Sequence, residues 1–233
     1  GGESHAVIEQ IPEFSTVHRG FVSNALTEED GDDASITLLK NRFASQLRNA
    51  GGAAFNPAVN EDIRFLEKTP KNSLRIRFLN KVFPDAKFIY LLRDPRENIS
   101  SLIDGWRSGR FRTYPNLPGF GGHWSYLLTP EWQKLRQSPF QAIATDQWRQ
   151  CNQTIIKDLK ELPSERWTML NYQNLLNDTE NQVKRLCHFM DLDYDAKLQQ
   201  RCQASLPNSQ FTLTQPKANK WLKNRDSMEP HLG

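Results

Sequence analysis

Arg93 and Ser101 stand eight residues apart, and between them they carry the chemistry to hold a phosphate. Arg93 offers a planar cationic fork and Ser101 a hydroxyl donor. Asp94-Pro95 lies just after the arginine and reads as a helix start. Asp is a good N-cap residue, and Pro suits the first helical position, where no N–H is needed. Free backbone amides and the helix dipole at such an N-terminus favour an anion in the same place. The same residues also fit a plain helix start, with Arg93 solvated or paired with Asp94 or Glu97. Spacing alone leaves both readings open.

A site of this kind needs a strand to deliver Arg93. Lys87-Phe88-Ile89-Tyr90-Leu91-Leu92 is a short apolar run rich in aromatic and β-branched residues, reached through Phe83-Pro84-Asp85-Ala86. It reads as a buried parallel strand that turns sharply into a helix at Arg93-Asp94. Arg166 to Tyr172 reads as the next parallel strand, and Ile63 to Glu67 as a short strand leading into Lys68-Thr69-Pro70. Apolar Ile36, Leu39, Phe43 and Leu47 recur at helical spacing, which predicts an amphipathic helix from Ser35 to about Asn49. Gly51-Gly52 reads as a helix C-cap and turn. A basic helix is expected over Ser73 to Val82. Trp148, Cys151, Ile155, Ile156 and Leu159 mark another helix, ending before Pro163, and Val183, Leu186, Cys187 and Met190 a third. The acidic cluster Glu28-Glu29-Asp30-Gly31-Asp32-Asp33 reads as a substrate-side loop or a solvated charge run. Residues 108–139, rich in Gly, Pro and aromatics, read as a long functional loop. Its aromatics and His123 fit an acceptor pocket or a satellite core equally well.

A chain of 233 residues, 37% hydrophobic and 24% charged, is long enough for one sizeable core and short for two. Its net charge of +3 comes without a long Lys/Arg block, which argues against a nucleic-acid partner. No apolar run reaches the length of about eighteen residues that a membrane segment needs. Cys151, Cys187 and Cys202 are far apart and odd in number, so they read as free thiols in a reducing compartment. Asn98, Asn152 and Asn177 each open a glycosylation pattern, the first of them inside the expected phosphate helix. A cytoplasmic location is the expectation.

The stretch Phe83 to Arg96 resembles the core of sulfotransferases that use 3′-phosphoadenosine 5′-phosphosulfate (PAPS), and Phe65-Leu66-Glu67-Lys68-Thr69-Pro70-Lys71-Asn72 resembles the segment that this family places one strand earlier. The resemblance implies that Arg93 and Ser101 bind the 3′-phosphate of the nucleotide. It implies that Lys68 approaches the transferring sulfonate and steadies the leaving oxygen. Tyr172 matches the Tyr of a Tyr-Glu-Asp-Leu-like motif that contacts the nucleotide, although Gln173 and Asn174 replace the acids. The ending from Thr214 to Arg225 resembles a basic Lys-Trp segment that closes over the nucleotide, which makes Lys217, Lys220 and Lys223 phosphate partners, with Lys217 the first choice. Gly2 to Ile8 resembles the segment after the family's 5′-phosphosulfate loop, where a Glu is the catalytic base. That residue is Glu3, and His5 is its rival. Pro70 stands where cytosolic small-molecule members have a catalytic His.

The expected fold is therefore α/β, a three-layer architecture resembling the P-loop nucleotide kinases with a mostly parallel sheet. The expected organisation is a single sulfotransferase-like domain over residues 1–233 that lacks the N-terminal strand and loop holding the 5′-phosphosulfate, through truncation or natural loss. The implied reaction is metal-free transfer of a sulfuryl group from PAPS to a hydroxyl or amine of a small-molecule or peptidyl acceptor. Two other classes remain open, a non-catalytic nucleotide-binding or interaction module and a nucleotide kinase. The oligomeric state is also open.

Overall fold

The computed structural model describes residues 5–49, 51–56, 64–204, 208, 211–214 and 219–232, with the His5 side chain excepted. The chain divides into two compact units, Gly1–Pro84 with Leu127–Lys134, and Asp85–Tyr126 with Leu135–Gly233.

The first unit is helical among its described residues. It contains α1 (His5–Ile8), α2 (Asp33–Gln46) and α3 (Ile76–Val82), with one-turn 3-10 helices at Pro12–Phe14 and Pro70–Leu74. Helix α2 starts where the Asp32 carboxylate accepts the Ser35 amide at 2.8 Å. Ile36, Leu39 and Phe43 on its inner face meet Ile8, Phe14, Leu26 and Phe78 in one core. Helix α2 stops at Gln46, short of the expected Asn49, and Asn49 instead closes a turn with Gly52. Two other expectations are corrected. The acidic run is not simply solvated, because Asp32 caps α2, Asp30 pairs with Arg19 at 3.1 Å, and Glu28 pairs with Arg77. Residues 64–67 form no strand. A strand exists only where a neighbour accepts its backbone ladder. Phe65 packs instead as a side chain, 5.6 Å from both the Phe43 and Phe83 rings.

Polar groups also knit this unit together. Glu9 Oε1 accepts from Lys71 Nζ at 2.7 Å and from Arg75 Nη2 at 3.0 Å, with the Arg75 side chain fully buried. Arg75 Nε donates to the Asn24 carbonyl at 2.8 Å, and the Asn24 side chain accepts the Leu128 amide at 2.6 Å.

The second unit is α/β. Strand β1 (Phe88–Leu92) runs parallel to β4 (Trp167–Asn171), pairing Phe88 with Trp167 through Leu92 with Asn171. Between them come α4 (Pro95–Ser108), the short antiparallel pair β2 (Arg112–Tyr114) and β3 (Trp124–Ser125), and α5 (Phe140–Lys160). After β4 follow α6 (Tyr172–Asn177), α7 (Thr179–Phe189), α8 (Ala196–Gln203) and α9 (Arg225–Met228). Among the described residues the parallel sheet has two strands. Helix α4 packs on α5 and buries Ile99, Ile103 and Trp106, and Gly109 ends it at φ +62°. That left-handed conformation is one that glycine adopts without strain.

Three aromatics of residues 108–139, Tyr114, Trp124 and Trp132, are core, while Phe111, Phe120 and Tyr126 are half-buried. Trp124 is buried 5.4 Å from Trp106 and 5.1 Å from Phe120, and Tyr114 is buried on the paired strand. In the first unit, Trp132 is buried with its indole N–H on the Phe21 carbonyl at 2.7 Å. Gln147 of α5 accepts from the Trp106 indole at 3.1 Å and donates to the Ser125 carbonyl at 2.9 Å, fixing the loop to the helix pair. All three cysteines are free thiols, and no described helix is long and apolar enough to cross a membrane.

Candidate functional site

Register builds the site. Leu92 and Asn171 are the last paired residues of β1 and β4, so the next residues, Arg93 and Tyr172, leave the ladder side by side at the carboxyl ends of the strands. The Arg93 guanidinium lies 5.2 Å from the Tyr172 ring centre, and its Nη2 is 3.4 Å from Glu97 Oε2, one turn along α4. Arg93 is thus oriented by an aromatic face and a carboxylate before any ligand arrives.

Asp94 caps α4 as its sequence predicts, and this corrects the expected source of anion affinity. Its carboxylate accepts the Arg96 amide at 2.9 Å and the Glu97 amide at 3.3 Å, so those helix N-terminal donors are already used. An incoming anion cannot use those two amides and meets the side chains around them. The same carboxylate takes two bonds from the Arg96 guanidinium, at 3.2 and 2.9 Å. The Arg96 bonds, with the Glu97 amide, hold the Asp94 carboxyl below its ordinary 3.8. Arg96 in turn lies 4.7 Å from the Trp221 ring centre.

Two openings adjoin Arg93. The larger is a cleft of about 420 Å³ between the strand ends and the start of α4, walled by Leu92, Pro95, Asn171, Gln173, Asn219 and Trp221. Its size suits a small organic ligand. Asn171 spends its side-chain oxygen on the Gln173 and Asn174 amides, at 2.8 and 3.2 Å, which starts α6 beside the cleft. The smaller opening is a slot of about 10 Å³ lined by Arg93, Glu97, Ser100, Ser101, Asp104 and Lys220. A volume of that size holds a water and no more. For one anion to touch both Arg93 and Ser101, the Glu97 or Lys220 side chain must swing aside. Lys220 is held there by an exposed bond to the Thr214 carbonyl at 3.2 Å.

Of the residues that the sequence singles out, Arg93, Ser101 and Tyr172 converge here. Lys68 is exposed in the first unit, in the extended segment before Pro70. Glu3 and Lys217 lie outside the described residues, as does the side chain of His5, whose backbone opens α1. The lysine at the slot is Lys220, while Lys223 is engaged by Asp104 at 2.6 Å. The sequence placed these three lysines in one basic segment with Lys217 as first choice, and only the structure brings Lys220 to the slot. Sequence reasoning missed Asn224 altogether, whose partners are more than a hundred residues away. Among the described residues, no three Asp, Glu, His or Cys side chains come together as a metal site.

Residues 5–196 match the model of the Sulfotransferase family. This chain belongs to that family. A Caenorhabditis briggsae protein provisionally named as a protein-tyrosine sulfotransferase is 24% identical over 194 residues, covering 81% of this chain and 56% of the relative. Its Caenorhabditis elegans counterpart of the same provisional name is 23% identical, covering 81% and 60%. The chain thus spans little more than half the length of these curated relatives. Among solved structures, the sulfotransferase STF9 from Mycobacterium avium superposes with a TM-score of 0.50 at 22% identity, covering 75% of this chain and 38% of STF9. That likeness fixes the fold as the α/β, P-loop-like architecture of sulfotransferases.

Proposed function

We propose that this protein transfers a sulfuryl group from PAPS to a hydroxyl or amine of a small-molecule or peptidyl acceptor. The observation that carries this reading is the register-driven delivery of Arg93 and Tyr172 side by side to the strand ends, with Arg93 on the cleft and with Ser101 and Lys220 on the adjoining slot. In this reading Arg93, Ser101 and Lys220 hold the 3′-phosphate, Lys217 adds charge from the same segment, and Tyr172 meets the nucleotide. Arg93 and Lys220 face Glu97 on the slot, and Asp104 is already met by Lys223. The local surplus of positive charge is small, so binding should weaken only modestly with added salt.

Positioning and charge stabilisation dominate such a transfer. As the acceptor atom bonds to sulfur, the bond from sulfur to the bridging phosphate oxygen breaks. Lys68 balances the charge left on that oxygen, and Glu3, or His5 in its place, takes the acceptor proton. The free thiols suit a reducing, cytoplasmic location.

The test is calorimetric titration of adenosine 3′,5′-bisphosphate, the desulfated product, into the full chain and into Arg93→Ala. A hydrogen bond to a charged group is worth about 1.5–3 kcal/mol, so the variant should bind at least about ten-fold more weakly. Adenosine 5′-monophosphate, which lacks the 3′-phosphate, should bind both proteins alike. Equal affinity of the two proteins for the bisphosphate, or none in either, would overturn the reading.

A further inference from the structure

We propose that Asn224 is a positioning residue, the fixed end of a strap that holds Lys220 and Trp221 at the nucleotide cleft. The inference rests on the function proposed above and adds what fastens the strap. Asn224 is only 2% exposed. Its amide donates to Ser100 Oγ at 3.0 Å, to the Ser100 carbonyl at 3.3 Å and to Asp104 Oδ1 at 3.0 Å. Its carbonyl oxygen accepts from Arg107 Nη1 at 3.1 Å. Every partner lies on α4, the helix that carries Ser101 and begins beside Arg93. Lys223 adds an ion pair to Asp104 at 2.6 Å, so the same carboxylate grips two successive strap residues.

The other end of the strap is held differently. Trp221 rests on Arg96, whose side chain is 51% exposed, and Lys220 makes an exposed bond to the Thr214 carbonyl. A buried amide cannot leave its partners without stranding polar groups, whereas an exposed contact trades with water at little cost. Asn219, at φ +59°, turns the chain where the 3-10 turn Lys220–Asn224 begins. The geometry therefore gives a strap with a pinned root and a movable tip. Lys220 can vacate the slot to admit a phosphate while its backbone stays in place, and it then returns to the anion. Such pre-organisation raises affinity by reducing the ordering cost of binding.

Two readouts on the full chain test this. The first needs no ligand: hydrogen exchange of the amides of residues 219–224 in Asn224→Leu. Loss of the pin should speed their exchange by on the order of ten-fold or more while α5 keeps its protection. Unchanged exchange overturns the inference whether or not the protein binds nucleotide. The second is the affinity for adenosine 3′,5′-bisphosphate in Asn224→Leu, Lys220→Ala and the double variant. Each single change should weaken binding, and the double should lose less than the sum of the two, because Asn224 acts through the strap tip. Additive losses, or tighter binding by Asn224→Leu, overturn the inference. Should Asn224→Leu fail to fold, Lys223→Ala removes the neighbouring, half-exposed tie and should move both readouts the same way by a smaller factor; no movement overturns the proposal. Absence of binding by the unaltered protein would refute the function proposed above, and the exchange measurement would still decide the strap.

Discussion

Asp94 shows how one side chain can set the terms for a whole site. Its place as a helix cap was legible in the sequence, because Asp before Pro carries a local signal. Its consequence was not, because which amides remain for a ligand depends on where the carboxylate turns. The charge also leaves a mark on stability. The folded carboxyl titrates below its ordinary 3.8, chiefly through Arg96, so between the two values the unfolded chain binds more protons than the folded one. The stabilisation is complete above that ordinary value and is lost as the pH falls through the folded value. Asp32 behaves in the same way through its bonds from Ser35. Asn caps helices about as well as Asp, so Asp94→Asn separates the charge from the cap. Urea midpoints between pH 2 and pH 7 should fall less steeply in this variant than in the parent, starting lower at pH 7 and converging with the parent at the acid end. Identical profiles would show that the Asp94 charge does not contribute to folding.

At the scale of elements, β1 and α4 were readable because their signals are local: a short apolar run, then Asp-Pro, then apolar residues at helical spacing. The stretch expected as a strand at Ile63 to Glu67 looked similar, but a strand also needs a neighbour, and composition carries no record of one. The burial of Trp124 and Tyr114 was equally out of reach, since a loop aromatic looks the same whether it lines a pocket or fills a core. Gly105 illustrates the point within α4. On propensity alone, Gly to Ala in a helix should gain about 1 kcal/mol. Here a Cβ at Gly105 would lie 1.5 Å from the Tyr126 hydroxyl and 2.6 Å from its ring carbon. Tyr126 has little room to move, stacked 5.2 Å from Phe111 and itself held at φ +65°. Burial and the nearby Asp104 carboxylate push its hydroxyl well above the ordinary tyrosine range, so it stays a neutral phenol. Gly105→Ala should therefore destabilise, by about 1–3 kcal/mol as overpacked sites do. A thermal melt that rises by the helix-propensity increment would show that the tyrosine moves freely.

Across the molecule, each unit is tied by a polar knot between residues far apart in sequence, Asn224 to α4 in one and Glu9 to Lys71 and Arg75 in the other. Neither knot has a local signature, which is why the sequence marked Arg93 as a candidate and gave no sign of either knot. In the Glu9 knot one carboxylate oxygen meets two cations whose side chains are 8% and 0% exposed. That sharing makes a test. Glu9→Gln removes the charge that both cations share, and breaking a buried ion pair from one side costs about 3–5 kcal/mol. With the Glu9 side chain 19% exposed, the lower end is the expectation. Against a typical domain stability of about 5–15 kcal/mol, that is a large fraction. Lys71→Met removes one cation and leaves Glu9 and Arg75 as a matched pair, while its unbranched side chain follows much of the lysine stem. It should cost less than half as much. Urea unfolding of the parent and the two variants at pH 7 measures both losses. If Lys71→Met proves as damaging as Glu9→Gln, the knot depends on each contact separately, and Glu9 is not its centre.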